Sequence, residues 1–320
     1  MSDVLITGGL GFIGSHVARE FTNREYDVVL MDITDDVKLI KDIKHKVKII
    51  KGSVTDKDQV NYIFELYKPK VVVHYAALLS VDVERKPTIG YQVNFDGTWN
   101  VFEAARKVDA DILIFASSIA AYGPGLPETV EEDVYTIPQT LYGISKRFGE
   151  MLGMWFSKTY GIKFIAFRYA SVIGPGRRDG GASAYSTLII QKAAQGEPYM
   201  INVPEDAKIP IVYVKDVADV TVYSCENIAR AKSKIYNVAS LKKSPSAIEI
   251  VNAVRKVIPN SELVFKQDAK TTEIIRSWPK NVDIKRVEHE VLWRPKYADL
   301  DVLVADFISE VKAHPDMFHV

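Results

Sequence analysis

Tyr142 and Lys146, four residues apart, are the pair in this chain best suited to moving a proton. On a helix that spacing puts both side chains on one face, so an ammonium can approach a phenol. A neighbouring cation favours the phenolate and should lower the tyrosine pKa, which would make it usable as a general base. Ser117 and Ser118 close the apolar run Ile112 to Ala116, and Ser118 precedes Tyr142 by 24 residues. A serine hydroxyl brought alongside could hold the substrate oxygen whose proton is moved. Tyr-x-x-x-Lys alone is common and can be a solvated helix face. The serine pair at a strand end and a glycine fingerprint upstream give it weight.

That fingerprint lies near the start of the chain. Val4-Leu5-Ile6-Thr7 reads as a short buried strand, followed by Gly8-Gly9-Leu10-Gly11-Phe12-Ile13-Gly14 and an apolar helix through Phe21. Glycines at 8, 11 and 14 allow a tight turn and close approach of the backbone to a pyrophosphate. The helix N-terminus supplies N–H groups and a positive dipole end for it. A second strand ends at Asp32, 18 residues after Gly14. A carboxylate there accepts from adenosine ribose hydroxyls and repels a 2′-phosphate, which favours NAD over NADP.

Strand and helix then alternate. Val47 to Ile50 leads to Gly52-Ser53-Val54 and a helix through Tyr67. Lys70 to Ala77 is the next strand, with small Ala76 and Ala77 at its end, and a loop from Leu78 to Asp82 should open over the site. His74 reads as a packed strand residue, not a base, because it precedes that loop. Alternation of this kind implies an α/β chain, a Rossmann-type doubly wound parallel sheet with its site at the strand C-terminal ends. From Gly174 the parallel pattern is lost, and a smaller α/β C-terminal substrate lobe follows. The division expected is 1–173 plus about 209–240 for the NAD-binding domain, and 174–208 plus about 241–320 for the substrate lobe. The strands at 210–213 and 235–238 should both return to the main lobe, and the last helix should run from Asp301 to Lys312.

Composition narrows the class. The 320 residues carry 41 basic and 41 acidic side chains, so no net field gathers nucleic acid or an anionic membrane. A single cysteine, Cys225, excludes an internal disulfide framework, and no His or carboxylate cluster has metal-ligand spacing, so no metal is expected. The first apolar run is too short for a signal peptide and none reaches membrane-spanning length, so the expected location is cytoplasmic. The helix after Thr140 carries Ile144, Phe148, Met151, Leu152, Trp155 and Phe156, more apolar surface than one sheet face needs. A homodimer through a helix pair would use the excess.

Taken together these residues resemble the extended short-chain dehydrogenase/reductase superfamily, also called the NAD-dependent epimerase/dehydratase family. The matching elements run in family order over about the first 220 residues: Gly8-x-x-Gly11-x-x-Gly14, Asp32, His74-x-Ala76-Ala77, Asn94-x-x-Gly97-Thr98, Ser117-Ser118, Tyr122-Gly123, Tyr142-x-x-x-Lys146, Arg168, Gly174-Pro175 and Tyr213-Val214-Lys215-Asp216-Val217. The resemblance implies bound NAD and a catalytic set of Ser118, Tyr142 and Lys146. The expected cofactor contacts are Gly8, Gly11, Phe12, Ile13, Gly14, Asp32, Ser53, Val54, Tyr75, Ala76, Ala77, Asn94, Ala116, Tyr142, Lys146 and Tyr169. Ser53 stands where many relatives have an aspartate facing the adenine amino group.

The branch turns on what the second lobe lacks, although Ala116-Ser117-Ser118-Ile119-Ala120-Ala121-Tyr122 is nearer the general epimerase pattern and keeps the substrate open. Nucleotide-sugar enzymes of the family typically have an asparagine about where Ser171 stands and an arginine, clasping the diphosphate, where Ile209 stands. An arginine clamps a phosphate through two charged hydrogen bonds, and an isoleucine cannot. Lys208 or Arg276 could take its place. Other segments resemble the short-chain type of L-threonine 3-dehydrogenase: Leu78-Leu79-Ser80, Gly180-Gly181-Ala182-Ser183-Ala184-Tyr185 and Ser277-Trp278-Pro279. By that likeness Ser80, Ser118, Ser183 and Trp278 would line a small-substrate pocket. Arg177 and Arg178 could meet an anionic substrate group or stand as a solvated charge pair. The expected activity is NAD-dependent oxidation of a secondary alcohol in a small polar molecule. A nucleotide-sugar epimerase or dehydratase, such as a UDP-glucose 4-epimerase, is the alternative, and a non-catalytic NAD-binding regulator a third reading.

Overall fold

In the computed structural model, which describes residues 3–177 and 181–319, a seven-stranded parallel sheet carries the first half of the chain. Its strands are β1 (Val4–Thr7), β2 (Val28–Asp32), β3 (Val47–Lys51), β4 (Val71–His74), β5 (Ile112–Ser118), β7 (Lys163–Tyr169) and β11 (Ile235–Val238), with the short β6 (Thr129–Val130) outside the sheet. Spatial order is β11-β7-β5-β4-β1-β2-β3, so winding reverses between β1 and β4. The reversal opens a crevice at the strand C-terminal ends, where α/β sheets take their ligands. Val4 and Ile6 pack on one side of the sheet and Leu5 on the other. Burial on both faces is why these strands read as continuous apolar runs.

The helices cover both faces. α1 (Phe12–Asn23) lies against α8 (Val214–Glu226) on one side. On the other stand α2 (Lys57–Tyr67), α5 (Gly97–Lys107) and α6 (Leu141–Tyr160). α6 comes down unusually close to the strands. A Cβ on Gly149 would sit 2.2 Å from the Phe115 ring, and one on Gly153 would sit 2.1 Å from Phe164. Any larger residue at either position would lift the helix and the side chains it carries. Thr140 caps its start, accepting from the Gly143 N–H, and Gly161 ends it in the left-handed region.

Between β4 and α5 the chain forms two short helices, α3 (Ser80–Arg85) and α4 (Pro87–Tyr91). The open loop expected over 78–82 is therefore a helix from Ser80 onward. Asn94 explains the change: its side chain bonds both the N–H and the carbonyl of Leu78, at 2.8 and 3.0 Å, and this fixes where the chain turns.

The remaining elements form a second apolar cluster. They are β8 (Ser171–Ile173), α7 (Tyr185–Gln195), β9 (Tyr199–Ile201), β10 (Ile211–Tyr213), α9 (Ala247–Val257), β12 (Leu263–Phe265), α10 (Ala269–Arg276), α11 (Leu300–Ala313) and α12 (Pro315–Phe318), while β13 (Asn281–Val282) pairs with β6 and packs in the first cluster. β10 pairs with β8, not with the main sheet, which corrects the expectation for 210–213. The edge beside β7 is already taken by β11. The last long helix covers the expected span, but the chain continues into α12, which packs on the α1 side.

Candidate active site

The glycine loop has the shape a pyrophosphate requires. Gly8 takes φ of 70°, and a Cβ on Gly14 would lie 2.1 Å from the Gly8 carbonyl. Gly11 caps α1 without any side-chain hydrogen bond, and the first turn holds no acidic residue. The leading N–H groups of α1 are thus left for an anion, so the loop fits the diphosphate of a dinucleotide. At the end of β2, Asp32 takes the Leu10 N–H at 3.0 Å and so stands beside the same loop.

At the far side of the crevice the two adjacent serines part. Ser117 is buried and donates to Glu150 at 2.6 Å. Ser118 faces the site: its hydroxyl accepts the Ala120 N–H at 3.2 Å and lies near enough to the Tyr142 phenol to act on its pKa. Period-two alternation along β5 separates them. Lys146, one helical turn beyond Tyr142, donates to the Ala116 carbonyl at 2.8 Å and lies 5.4 Å from the centre of the Tyr142 ring. The sequence brings Ser118, Tyr142 and Lys146 together as expected.

Their electrostatics differ from expectation. The Tyr142 phenol is raised above its ordinary value by burial; the Ser118 hydroxyl and the charge of Arg177 work against that rise. The neighbouring cation acting on the phenol is Arg177, not Lys146, whose ammonium is turned to the Ala116 carbonyl. Lys146 itself is drawn down by burial to about 8, with Glu150 opposing.

The other expected cofactor contacts fall into two groups. Ala76, Ala77, Asn94 and Lys146 line a crevice with Phe115 and Ser145 at the mouth of the sheet. Gly8, Gly11, Phe12, Ile13 and Gly14 form the loop and first turn just described, and the Ala116 carbonyl receives Lys146. Val54 is buried under Gly97, and the Ser53 hydroxyl bonds Thr55 within its own loop at 2.7 Å. Tyr75 and Tyr169 turn away: their phenols lie 3.0 Å apart and both bond Thr221. Both phenols are committed within the fold, and burial holds Tyr75 up at about 12. His74 is buried between the Thr7 and Thr98 hydroxyls, and burial draws it down to about 3.

On the substrate side, Arg177 is the residue that organises the rim. It donates to the Ser183 hydroxyl at 2.9 Å, to the Val172 carbonyl at 2.8 Å and to Ser171 at 3.4 Å. Ser171 thus supports a guanidinium. Arg178 and Gly180 lie outside the described residues. Ser80 opens α3, and from the same helix Glu84 accepts the Tyr142 N–H at 3.3 Å. α10 packs against the turn at 182–184, with Arg276 at its exposed end and half-buried Trp278 just beyond. Ile209 is wholly buried, and the exposed Lys208 next to it pairs through its backbone with Ser246. Glu84 and Glu150 escaped the sequence reading. Glu150 had one signal, its place one turn after Lys146.

The family-wide comparison decides the affiliation, since the model of the NAD-dependent epimerase/dehydratase family matches residues 4–239. The chain belongs to that family. It is an NAD-dependent enzyme of the extended short-chain dehydrogenase/reductase type. Over 316 residues, 97% of this chain and 83% of the relative, it is 29% identical to the mitochondrial L-threonine 3-dehydrogenase of Sus scrofa. The holo form of an L-threonine dehydrogenase from Cupriavidus necator superposes with a TM-score of 0.89 at 27% identity, covering 97% of this chain and 100% of that one. A UDP-glucose 4-epimerase from Thermotoga maritima, solved with UDP-glucose, gives 0.86 at 25% identity over 97% and 99%. Among the described residues no helix is long and apolar enough to cross a membrane, and no group of His, Cys, Asp and Glu side chains is placed to hold a metal ion.

Proposed function

We propose that the chain oxidises the secondary alcohol of a small hydroxy amino acid or related hydroxy acid, as the L-threonine 3-dehydrogenases it resembles do. The observation that carries this reading is the position of Ile209 and Arg177. The site of the expected diphosphate arginine is a core isoleucine. The cation present is held at the rim by Ser171, Val172 and Ser183, near enough to the Tyr142 phenol to act on it. A guanidinium and a serine hydroxyl at the rim can receive a substrate carboxylate together.

In this reading Ser118 holds the substrate oxygen and Tyr142 takes its proton. Lys146 would hold the nicotinamide ribose. NAD, when bound, supplies the hydride acceptor. The contacts proposed for it are the glycine loop, Asp32, and the crevice at Ala76, Ala77, Asn94 and Lys146. On this division residues 1–173 with about 209–240 hold the cofactor, save β8 and β10, which belong to the second cluster, and 174–208 with about 241–320 the substrate.

A homodimer is the proposed assembly, in a cytoplasmic setting. Ile144, Met151 and Trp155 are 43%, 51% and 44% exposed along one side of α6, an apolar stripe suited to a partner helix. The test of function is net NADH formation with L-threonine, beside interconversion of UDP-glucose and UDP-galactose. Accumulation with L-threonine supports the dehydrogenase; UDP-sugar interconversion without net NADH overturns it.

A further inference from the structure

Behind the site lies a buried charge that none of the chemistry above uses. Glu150 has no exposed surface, yet its carboxylate takes hydrogen bonds from three elements. Ser117 on β5 donates to Oε1 at 2.6 Å, Arg168 on β7 donates to both oxygens at 2.7 and 2.8 Å, and Arg147 on α6 donates to Oε2 at 2.9 Å. Arg168 is itself buried, donating to the Glu132 carbonyl at 3.0 Å with the Tyr122 ring 4.5 Å away.

Its place is specific. Glu150 is one helical turn beyond Lys146, on the same face of α6. The lysine grips the carbonyl of Ala116, and the glutamate grips the hydroxyl of the next residue, Ser117. Two successive turns of α6 are thus pinned to two successive residues of β5, immediately before Ser118. We propose that Glu150 is a positioning residue for Lys146, fixing the lysine's helix against the end of β5 and setting a carboxylate one turn from the ammonium that would meet the cofactor.

The other groups facing Lys146 bring no negative charge in the neutral range. β4 contributes His74, neutral between its two threonines. β5 contributes a carbonyl, and α6 itself the protonated Tyr142. Arg147 on α6 and Arg168 on β7, both bonded to Glu150, are cations, as is Arg177 at the rim. Burial draws Lys146 down to about 8, and Glu150 is the group that works against it. A mere fold anchor would not need to stand at this turn.

The inference rests on Lys146 contacting NAD, so the test separates the two ideas. NAD affinity is measured by calorimetry against pH for the full chain and for Lys146→Met, Glu150→Gln and Glu150→Asp. The unsubstituted chain should lose affinity as pH rises through about 8, and Lys146→Met should show no such limb. A persistent limb in Lys146→Met removes the lysine's role in NAD binding. Glu150→Gln should move the midpoint to lower pH by about one unit, the size expected of a buried charge one turn away. Glu150→Asp, which keeps the charge, should leave the midpoint in place. A purely structural role would weaken binding equally at every pH. An unmoved midpoint in Glu150→Gln overturns the proposal. Should that variant not fold, a midpoint in Glu150→Asp displaced by a unit does so.

Discussion

The Arg177 guanidinium donates to the Ser183 hydroxyl at 2.9 Å, which joins the loop after β8 to the turn that opens α7. Two segments of the substrate side thus meet at one cation. On the proposed reading that cation receives the substrate carboxylate, and Arg177→Ala should lower kcat/KM for L-threonine by about 10²-fold, the worth of a charged hydrogen bond pair. The affinity for NAD should stay within about twofold. A loss of NAD affinity with unchanged KM for L-threonine would place Arg177 elsewhere in the mechanism.

The Tyr142 phenol lies beside the Ser118 hydroxyl, and removing the phenol oxygen deletes the base while leaving the pocket intact. Tyr142→Phe should bind NAD as before and lose about 10³-fold or more in turnover. Because burial holds the phenol high, the rate of alcohol oxidation should rise with pH through the neutral range. Full activity in the variant would remove Tyr142 from the reaction.

Two buried histidines make stability depend on acid. His16 lies against the Phe318 ring and bonds the Pro175 carbonyl at 3.1 Å, and burial draws both it and His74 down to about 3. A histidine kept neutral in the fold takes up protons first in the unfolded chain, so stability is lost as pH falls from about 6.5 toward 3. His16→Gln should flatten that loss, measured as the slope of unfolding free energy against pH between 6 and 4. An unchanged slope would show that His16 titrates normally in the fold.

The exposed stripe on α6 should close a dimer, and a charge placed in its middle should open it. Trp155→Glu is expected to sediment as a monomer with its near-native circular dichroism retained. Were the unsubstituted chain to sediment as a monomer at micromolar concentration, the stripe would have another use.

What the sequence made legible follows from range of interaction. The glycine turn, the strand ends and the Tyr-x-x-x-Lys face are each fixed by neighbours within a few residues, and they appear where the spacing put them. Ser118, not Ser117, faces Tyr142, an outcome that alternation along one strand decides. The protonation of Tyr142 was misread because i, i+4 spacing gives proximity without direction. The Lys146 ammonium goes to a backbone carbonyl, while the cation felt by the phenol comes from 35 residues further along the chain. Tyr75 and Tyr169 stand on different strands, and only the assembled sheet turns their hydroxyls to Thr221. Glu150 was hidden for the same reason, since its partners lie on β5 and β7.

The most direct test follows an atom. L-threonine deuterated at C3 is incubated with the enzyme and NAD, and the reduced nicotinamide is examined by mass. Dehydrogenation by this site predicts one deuterium carried to the cofactor, with NADH accumulating in step with the oxidised product and none formed from UDP-glucose. Unlabelled cofactor and unconsumed L-threonine, together with exchange of UDP-glucose and UDP-galactose, would contradict it.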